Sequence, residues 1–247
     1  MQNLIAPHPS FMSQAWSLSV EEWFYLSFPL ILVAVNLICP DQIRAYIYVA
    51  LGFVCAAFLL RMEFYLTANT SWDEDVRKVV VFRLDSIAYG ILTVYIWDQY
   101  NYFIKNNWRK IYAFSLMLAS ICIYELSKSM KIGDFENAFN YVFLFPITSI
   151  MICMVTLIFF EKVKTGGGFF SFVVRIVSQY SYSLYLSHFS VFLPIALYMQ
   201  GSAEGWIVWL VYWGGSFLMS SLVFHFFESP IMGMRDRLAR HALVRSE

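Results

Sequence analysis

The sequence predicts an all-α polytopic membrane protein of about seven transmembrane helices plus a short interfacial helix. Three observations predict it. Only 14% of the 247 residues are charged and 60% are hydrophobic. A soluble domain carries about 25% charged residues, so this chain cannot clothe a surface for water. Apolar stretches of bilayer-crossing length, about 20 residues as a helix, recur along it. The lysines and arginines between those stretches are unevenly shared between the two sides that such crossings define.

Taken in order, the opening MQNLIAPHPSFMSQ has no basic start and no early apolar core, so it is not read as a cleavable signal peptide. Spans are expected at Trp16–Cys39, Ile43–Leu66, Val79–Trp97, Arg109–Leu126, Phe139–Phe160, Tyr180–Met199 and Gly205–Phe227. Residues Phe169–Val177 are apolar but too short to cross, and read as the interfacial helix. Gly166–Gly168 before them read as a hinge, because no strand, helix opening or Lys-Ser/Thr follows as a phosphate loop requires. Glu228-Ser-Pro230 reads as a helix end before a basic tail. The whole chain, 1–247, reads as a single membrane domain. Cys39, Cys55, Cys122 and Cys153 share no close spacing and read as small apolar residues, with no metal site.

Seven crossings put Arg44, Lys105, Arg109, Lys110, Lys162, Lys164, Arg175, Arg235, Arg237, Arg240 and Arg245 on one side. The other side holds only Arg77, Lys78, Lys128 and Lys131. The basic side is expected to be cytoplasmic, with the C-terminus inside and Met1 outside.

Charges within the spans carry the functional reading. Glu21 and Glu22, Arg61 and Glu63, and Arg83 and Asp85 fall at similar depth near the outer ends of three consecutive spans. A lone charge in hydrocarbon is expensive and normally faces a partner or a wet cavity. The expectation is one outer pocket in which the acids meet Arg61 and Arg83; for Glu22, Arg61 and Glu63, pinning helices together or snorkelling explains the charges equally well. Ser86 and Gly90, four apart, read as a close helix contact. On the sixth span Ser178, Ser181, Tyr185 and His188 share one stripe that opens inward. His188 is a candidate general base or a hydrogen-bond partner between helices, and the sequence leaves both open. His225 and Glu228, near the inner surface, read as structural. An outward charged pocket and an inward polar stripe suit an enzyme that passes a group across the membrane, or a transporter.

One family fits these residues. Trp16-Ser17-Leu-Ser-Val-Glu21-Glu22-Trp-Phe-Tyr25-Leu resembles the WSL-x-x-E-x-x-FY signature of the acyltransferase-3 family of membrane O-acyltransferases. FRLDSIAYG, 82–90, resembles that family's Arg-x-Asp segment, and SYSLYLSH, 181–188, with FESP, 227–230, its C-terminal end. The resemblance implies transfer of an acyl group, typically acetyl, from a cytoplasmic acyl-CoA to a hydroxyl of an extracytoplasmic glycan such as lipopolysaccharide, capsule or peptidoglycan, or of a glycolipid. It implies an inner (cytoplasmic) membrane location in a bacterium, membrane lipid as surroundings, no permanently bound cofactor, no metal and no nucleic acid. Trp16, Ser17, Glu21, Tyr25, Arg83 and Asp85 become expected substrate-pocket residues, with Glu22, Arg61, Glu63, Ser181 and Tyr185 secondary. The family has roughly ten helices, with an Arg and a His in the first. No position here matches those two, so the chain is expected to lack about three N-terminal helices, and a polypeptide supplying them is an expected partner. His188 is the substitute base this chain offers. Two rivals stand beside the enzyme: a catalytically incomplete fragment or partner subunit, and a transporter of glycan intermediates. No inverted repeat or paired Gly/Pro-broken helices support the transporter.

Overall fold

The computed structural model of the chain describes residues 16–67, 72–133, 135–162 and 168–244. The described chain is helical nearly throughout, and an isolated bridge joins Gln200 to Ala203. Six helices among the described residues are long and apolar enough to cross a membrane. The all-α polytopic expectation therefore holds, with three changes in how the chain is divided.

The described residues fall into two compact units, 16–162 and 168–244. In the first unit, α1 (Trp16–Asn36) and α2 (Gln42–Thr67) pack through Phe24, Phe28, Val49 and Ala50, joined by Ala88 of α3 (Asp85–Ile132). Val20, Phe24 and Phe28 recur every four residues, which places them on one face of α1 and makes that the buried face. Before α3 the chain makes one π-turn at Asp73–Arg77 and one 3-10 turn at Val80–Phe82. A second core, Val76, Val79, Phe82, Tyr141, Val142 and Phe145, gathers those turns against the start of α4 (Leu144–Lys162).

The third and fourth expected spans are a single helix, α3, of 48 residues. Its backbone leaves helical values only at Tyr100 (φ −125°, ψ 22°). A straight helix would carry Ser129 about 44 Å beyond that residue. Instead both ends of α3 meet the stretch from Asn137 to Phe145 that leads into α4. Arg83, just before α3, stands over the Phe145 ring, and Ser129 accepts hydrogen bonds from Asn137 and Asn140. Along the first arm Trp97 reaches Phe160 at the far end of α4. The helix therefore folds back at Tyr100 and supplies two antiparallel arms. Gly133 ends the second arm in the left-handed region (φ 72°), its N–H bonding the Ser129 carbonyl, a conformation in which a side chain would be strained.

The second unit holds α5 (Phe169–Ser187), α6 (Leu193–Met199), α7 (Gly205–Val223) and α8 (Ser229–Val244). A π-turn at His188–Phe192 links α5 to α6 without a break, and another at Phe224–Glu228 links α7 to α8. The expected interfacial helix at Phe169–Val177 is thus the first part of a longer helix. The expected helix end at Glu228-Ser-Pro230 is continuous helix too, with Pro230 directly after the π-turn. At Gly215 of α7 an added Cβ would stand 2.2 Å from the Phe192 ring, so that glycine lets α7 close on the π-turn.

Candidate functional site

Arg61, Arg77, Arg83 and Asp85 of the first unit form one cluster built on α2, the turns before α3 and Phe145 of α4. Asp85 opens α3, where a carboxylate complements the helix's positive end. Arg61, most of the way along α2, meets it with both terminal nitrogens, at 2.7 and 3.1 Å. Both side chains are 0% exposed. Arg61 also donates to the Phe82 carbonyl, which ties α2 to the 3-10 turn. A bidentate guanidinium–carboxylate pair is the arrangement that makes such burial tolerable.

Arg83 lies two residues from Asp85 and points elsewhere, as the helical offset requires. Its guanidinium stands 4.1 Å from the Phe145 ring centre and 5.4 Å from that of Trp16. Arg77 stands 5.4 Å from Trp16 as well, and Arg61 5.7 Å from Phe145. Trp72 stacks on Phe145 with a 6.2 Å centroid separation, and its indole N–H donates to the Asn140 carbonyl at 2.9 Å. Three guanidiniums thus interleave with three aromatic rings, an arrangement that suits delocalised cations. Just outside the apolar spans, Asp73 holds Arg77 and Lys78. Burial pushes its carboxyl up, but the hydrogen bonds and charges of Arg77 and Lys78 outweigh this and leave it below its ordinary value.

Arg83 is the least satisfied member. Its Nη1 donates to the Arg77 carbonyl at 3.4 Å, and its Nε is buried with no partner among the described residues. The Ser86 Oγ is in the same state. Both residues line a cavity of about 290 Å³ between the first arm of α3 and α4, along with Gly90, Thr93, Thr148, Ser149 and Thr156. The expected close contact at Ser86 and Gly90 is therefore absent: an added Cβ at Gly90 would meet nothing within 4 Å, because the two residues face open space.

Of the expected pocket residues, the structure brings together Trp16, Arg61, Arg83 and Asp85. Glu21, Glu22 and Glu63 are exposed, and Tyr25 is 65% exposed. The expected convergence of the acids is corrected accordingly: Val20, Phe24 and Phe28 own the packed face of α1, so the glutamates and Tyr25 lie off it. Ser17 keeps a half-buried place beside Trp16.

In the second unit, the expected stripe of Ser178, Ser181, Tyr185 and His188 is not the packed face. Ser178 and Ser181 are exposed, and the Ser181 hydroxyl only donates back to the Ser178 carbonyl at 2.8 Å. The packed polar contacts belong to Ser183, which donates to the Glu228 carboxylate, and to Ser187 and Ser220, whose hydroxyls meet at 3.2 Å. Their i, i+4 serine spacing within apolar helices was the available signal. His188, half-buried, opens the π-turn, and its Nδ1 donates to the Leu184 carbonyl at 2.8 Å. The carbonyl can only accept, so in the neutral ring Nδ1 carries the proton and Nε2 keeps its lone pair. Tyr185 lies 6.0 Å from that ring, centre to centre. Among the described residues, no three His, Cys, Asp or Glu side chains gather as metal ligands.

The family model described as an acyltransferase domain matches residues 3–225. The chain belongs to the acyltransferase-3 family. It is 24% identical over 225 residues to the O-acetyltransferase OatA of Staphylococcus aureus strain NCTC 8325 / PS 47, and equally so to OatA of strain COL. Each comparison covers 89% of this chain and 36% of the relative. The chain thus spans about a third of the length of those curated relatives. No solved structure matches. In this structure the Trp16 stretch and the Arg83–Asp85 segment are neighbours in one cluster, bridged by Arg61, Arg77 and Phe145.

Proposed function

We propose that this chain is the membrane part of an O-acyltransferase that moves an acyl group, acetyl in the first instance, from a cytoplasmic acyl-CoA to a hydroxyl of an extracytoplasmic glycan or glycolipid. The observation that carries the reading is the convergence of Trp16 and Arg83, from two separate stretches of the family resemblance, on one ring-and-guanidinium cluster anchored by Arg61–Asp85. Transfer from a thioester to a hydroxyl develops negative charge on the carbonyl oxygen and requires removal of the hydroxyl proton. Arg83 and Ser86, with unpartnered donors facing a cavity, suit the first task. For the second, His188 of the second unit has the chemistry of a base, its Nδ1 proton held by the Leu184 carbonyl.

A second reading has its own support. Glu21, Glu22 and Tyr25 are exposed on an apolar helix, and the chain covers 36% of its relatives. Both fit a chain that works together with further helices of the family fold, which would supply the base. The proposed setting is the bacterial inner membrane, with residue 1 outside and the C-terminus in the cytoplasm. Membranes holding the chain alone, and with the family's N-terminal helices supplied in trans, are assayed for ester-linked acetate on envelope glycan. Acetate in both identifies a self-sufficient enzyme. Acetate only with the added helices identifies a subunit, and acetate in neither refutes the acyltransfer reading.

A further inference from the structure

The polar cavity at Arg83 does not stand alone. A larger cavity of about 660 Å³ lies between the two arms of α3 and α4, and its lining is almost wholly apolar. Leu92, Ile96, Ile104, Ile111, Ile150 and Met154 contribute to it. Thr93 and Cys153 belong to both cavities. The two spaces therefore share a wall at those residues: buried donors at one end, hydrocarbon at the other. The combined size falls within the range of ligand sites.

The charge balance at the polar end defines the head of an occupant. Asp85 is consumed by Arg61, with both side chains fully buried. Among the described residues no carboxylate lies within ion-pair distance of Arg83. A guanidinium with a buried, unpartnered Nε beside a buried, unpartnered hydroxyl is short of an acceptor. An anionic oxygen supplies it, and phosphate suits a guanidinium by geometry as well as charge. The apolar lining defines the rest: along the first arm it runs from Tyr89 to Tyr100, about 16 Å of helix, which accommodates a hydrocarbon chain rather than a compact solute.

We propose that these adjacent cavities open into one another past Thr93 and Cys153 and form a binding site for a lipid phosphate, with its phosphate on Arg83 and Ser86 and one hydrocarbon chain running into the space between the arms of α3 and α4. The phosphate takes the same two donors that the proposed transfer step would use, so the two occupancies exclude each other, and binding is read here in the absence of an acyl donor. The phosphate comes either from a bilayer phospholipid or from a polyprenyl phosphate of the kind that carries glycans, and the test separates them.

The purified full chain in detergent is photolabelled with a phospholipid carrying a diazirine on its acyl chain, and with a diacylglycerol carrying the same chain. Labelled peptides are then mapped. Labelling within 89–111 and 150–157 is expected, about tenfold stronger for the phospholipid, the worth of one charge-assisted hydrogen bond. Arg83→Gln is expected to bring phospholipid labelling down to the diacylglycerol level, whereas Arg83→Lys retains most of the preference and shows that the loss is not misfolding. Cys153→Trp, at the shared wall, is expected to reduce both labels. Competition by phosphatidylglycerol or by polyprenyl phosphate decides the source, the stronger competitor being the occupant. Equal labelling by the two probes, or an unchanged preference in Arg83→Gln, overturns the proposal and leaves a cleft filled by any lipid. Competition by inorganic phosphate as strong as that by either lipid overturns it too, since the hydrocarbon chain would then add nothing.

Discussion

Replacing Asp85 by Asn tests what holds the cluster together. The substitution keeps the shape of the side chain and removes its charge. Arg61 then remains fully buried with its two bonds to Asp85, of 2.7 and 3.1 Å, degraded to neutral ones or lost. Two charge-assisted bonds are together worth about 3–6 kcal/mol. Breaking one partner of a buried pair costs about 3–5 kcal/mol by independent measure, because the surviving charge stays desolvated. The two figures agree. For a chain of this size each kcal/mol moves the melting temperature by about 2–4 °C, so Asp85→Asn in detergent should melt about 6–20 °C lower. Arg61→Met should fall less, since it leaves a carboxylate at a helix N-terminus that partly compensates it. The double variant Arg61→Met/Asp85→Leu removes both charges and should recover most of the loss, because a hydrophobic pair of similar volume can replace a buried ion pair at little net change. Melting is followed by tryptophan fluorescence, with size-exclusion recovery as the check on aggregation. An Asp85→Asn variant within about 2 °C of wild type would refute the reasoning, as would a double variant no better than the worse single one.

Other expectations follow from the same structure. Gly215→Ala should destabilise the chain by about 1–3 kcal/mol because its Cβ would meet the Phe192 ring at 2.2 Å, and Phe192→Leu should relieve it; Gly90→Ala, facing open space, should be neutral or slightly stabilising in the same thermal melt. The Asp73 carboxyl titrates below its unfolded value, so its ion pairs add stability that is present above about pH 4 and lost as pH falls through the folded value; Asp73→Asn should flatten melting temperature between pH 3 and 5. Ser183→Ala leaves the Glu228 carboxylate without its hydroxyl donor and should lower the melting temperature more than Ser181→Ala, whose hydroxyl serves only its own helix. A C-terminal green fluorescent fusion should fluoresce and a C-terminal alkaline phosphatase fusion should stay inactive, as a cytoplasmic tail requires.

Hydropathy made the membrane class legible, since it reports the solvent a segment prefers. It does not report where a helix ends. The polar run Asp98–Trp108 suggested a loop, yet it contains neither Pro nor Gly, and the helix persists through it with one bent residue at Tyr100. Arg175, Ser178 and Gln179 interrupted the apolar pattern in the same way without interrupting the helix. The buried pair was legible in part: charges at similar depth on neighbouring spans pointed to Arg61, Arg83 and Asp85, because each needed a partner off its own helix. Which acid reached which base depended on the rotation of each helix. The Val20, Phe24, Phe28 spacing already implied that Glu21 lies off the packed face. The open space beside Gly90 had no such signal, since a glycine that permits close packing and one that lines a cavity look alike in sequence.

The most direct test measures ester-linked acetate on isolated envelope glycan from cells expressing the chain together with the N-terminal helices of its family, with Arg83→Ala and Trp16→Ala variants alongside at matched membrane levels. The account predicts acetate above the vector control, and its loss by tenfold or more in Arg83→Ala, with a smaller loss in Trp16→Ala. Acetylation undiminished in Arg83→Ala would contradict it, and so would its absence from cells whose membranes hold the folded chain and its partner helices.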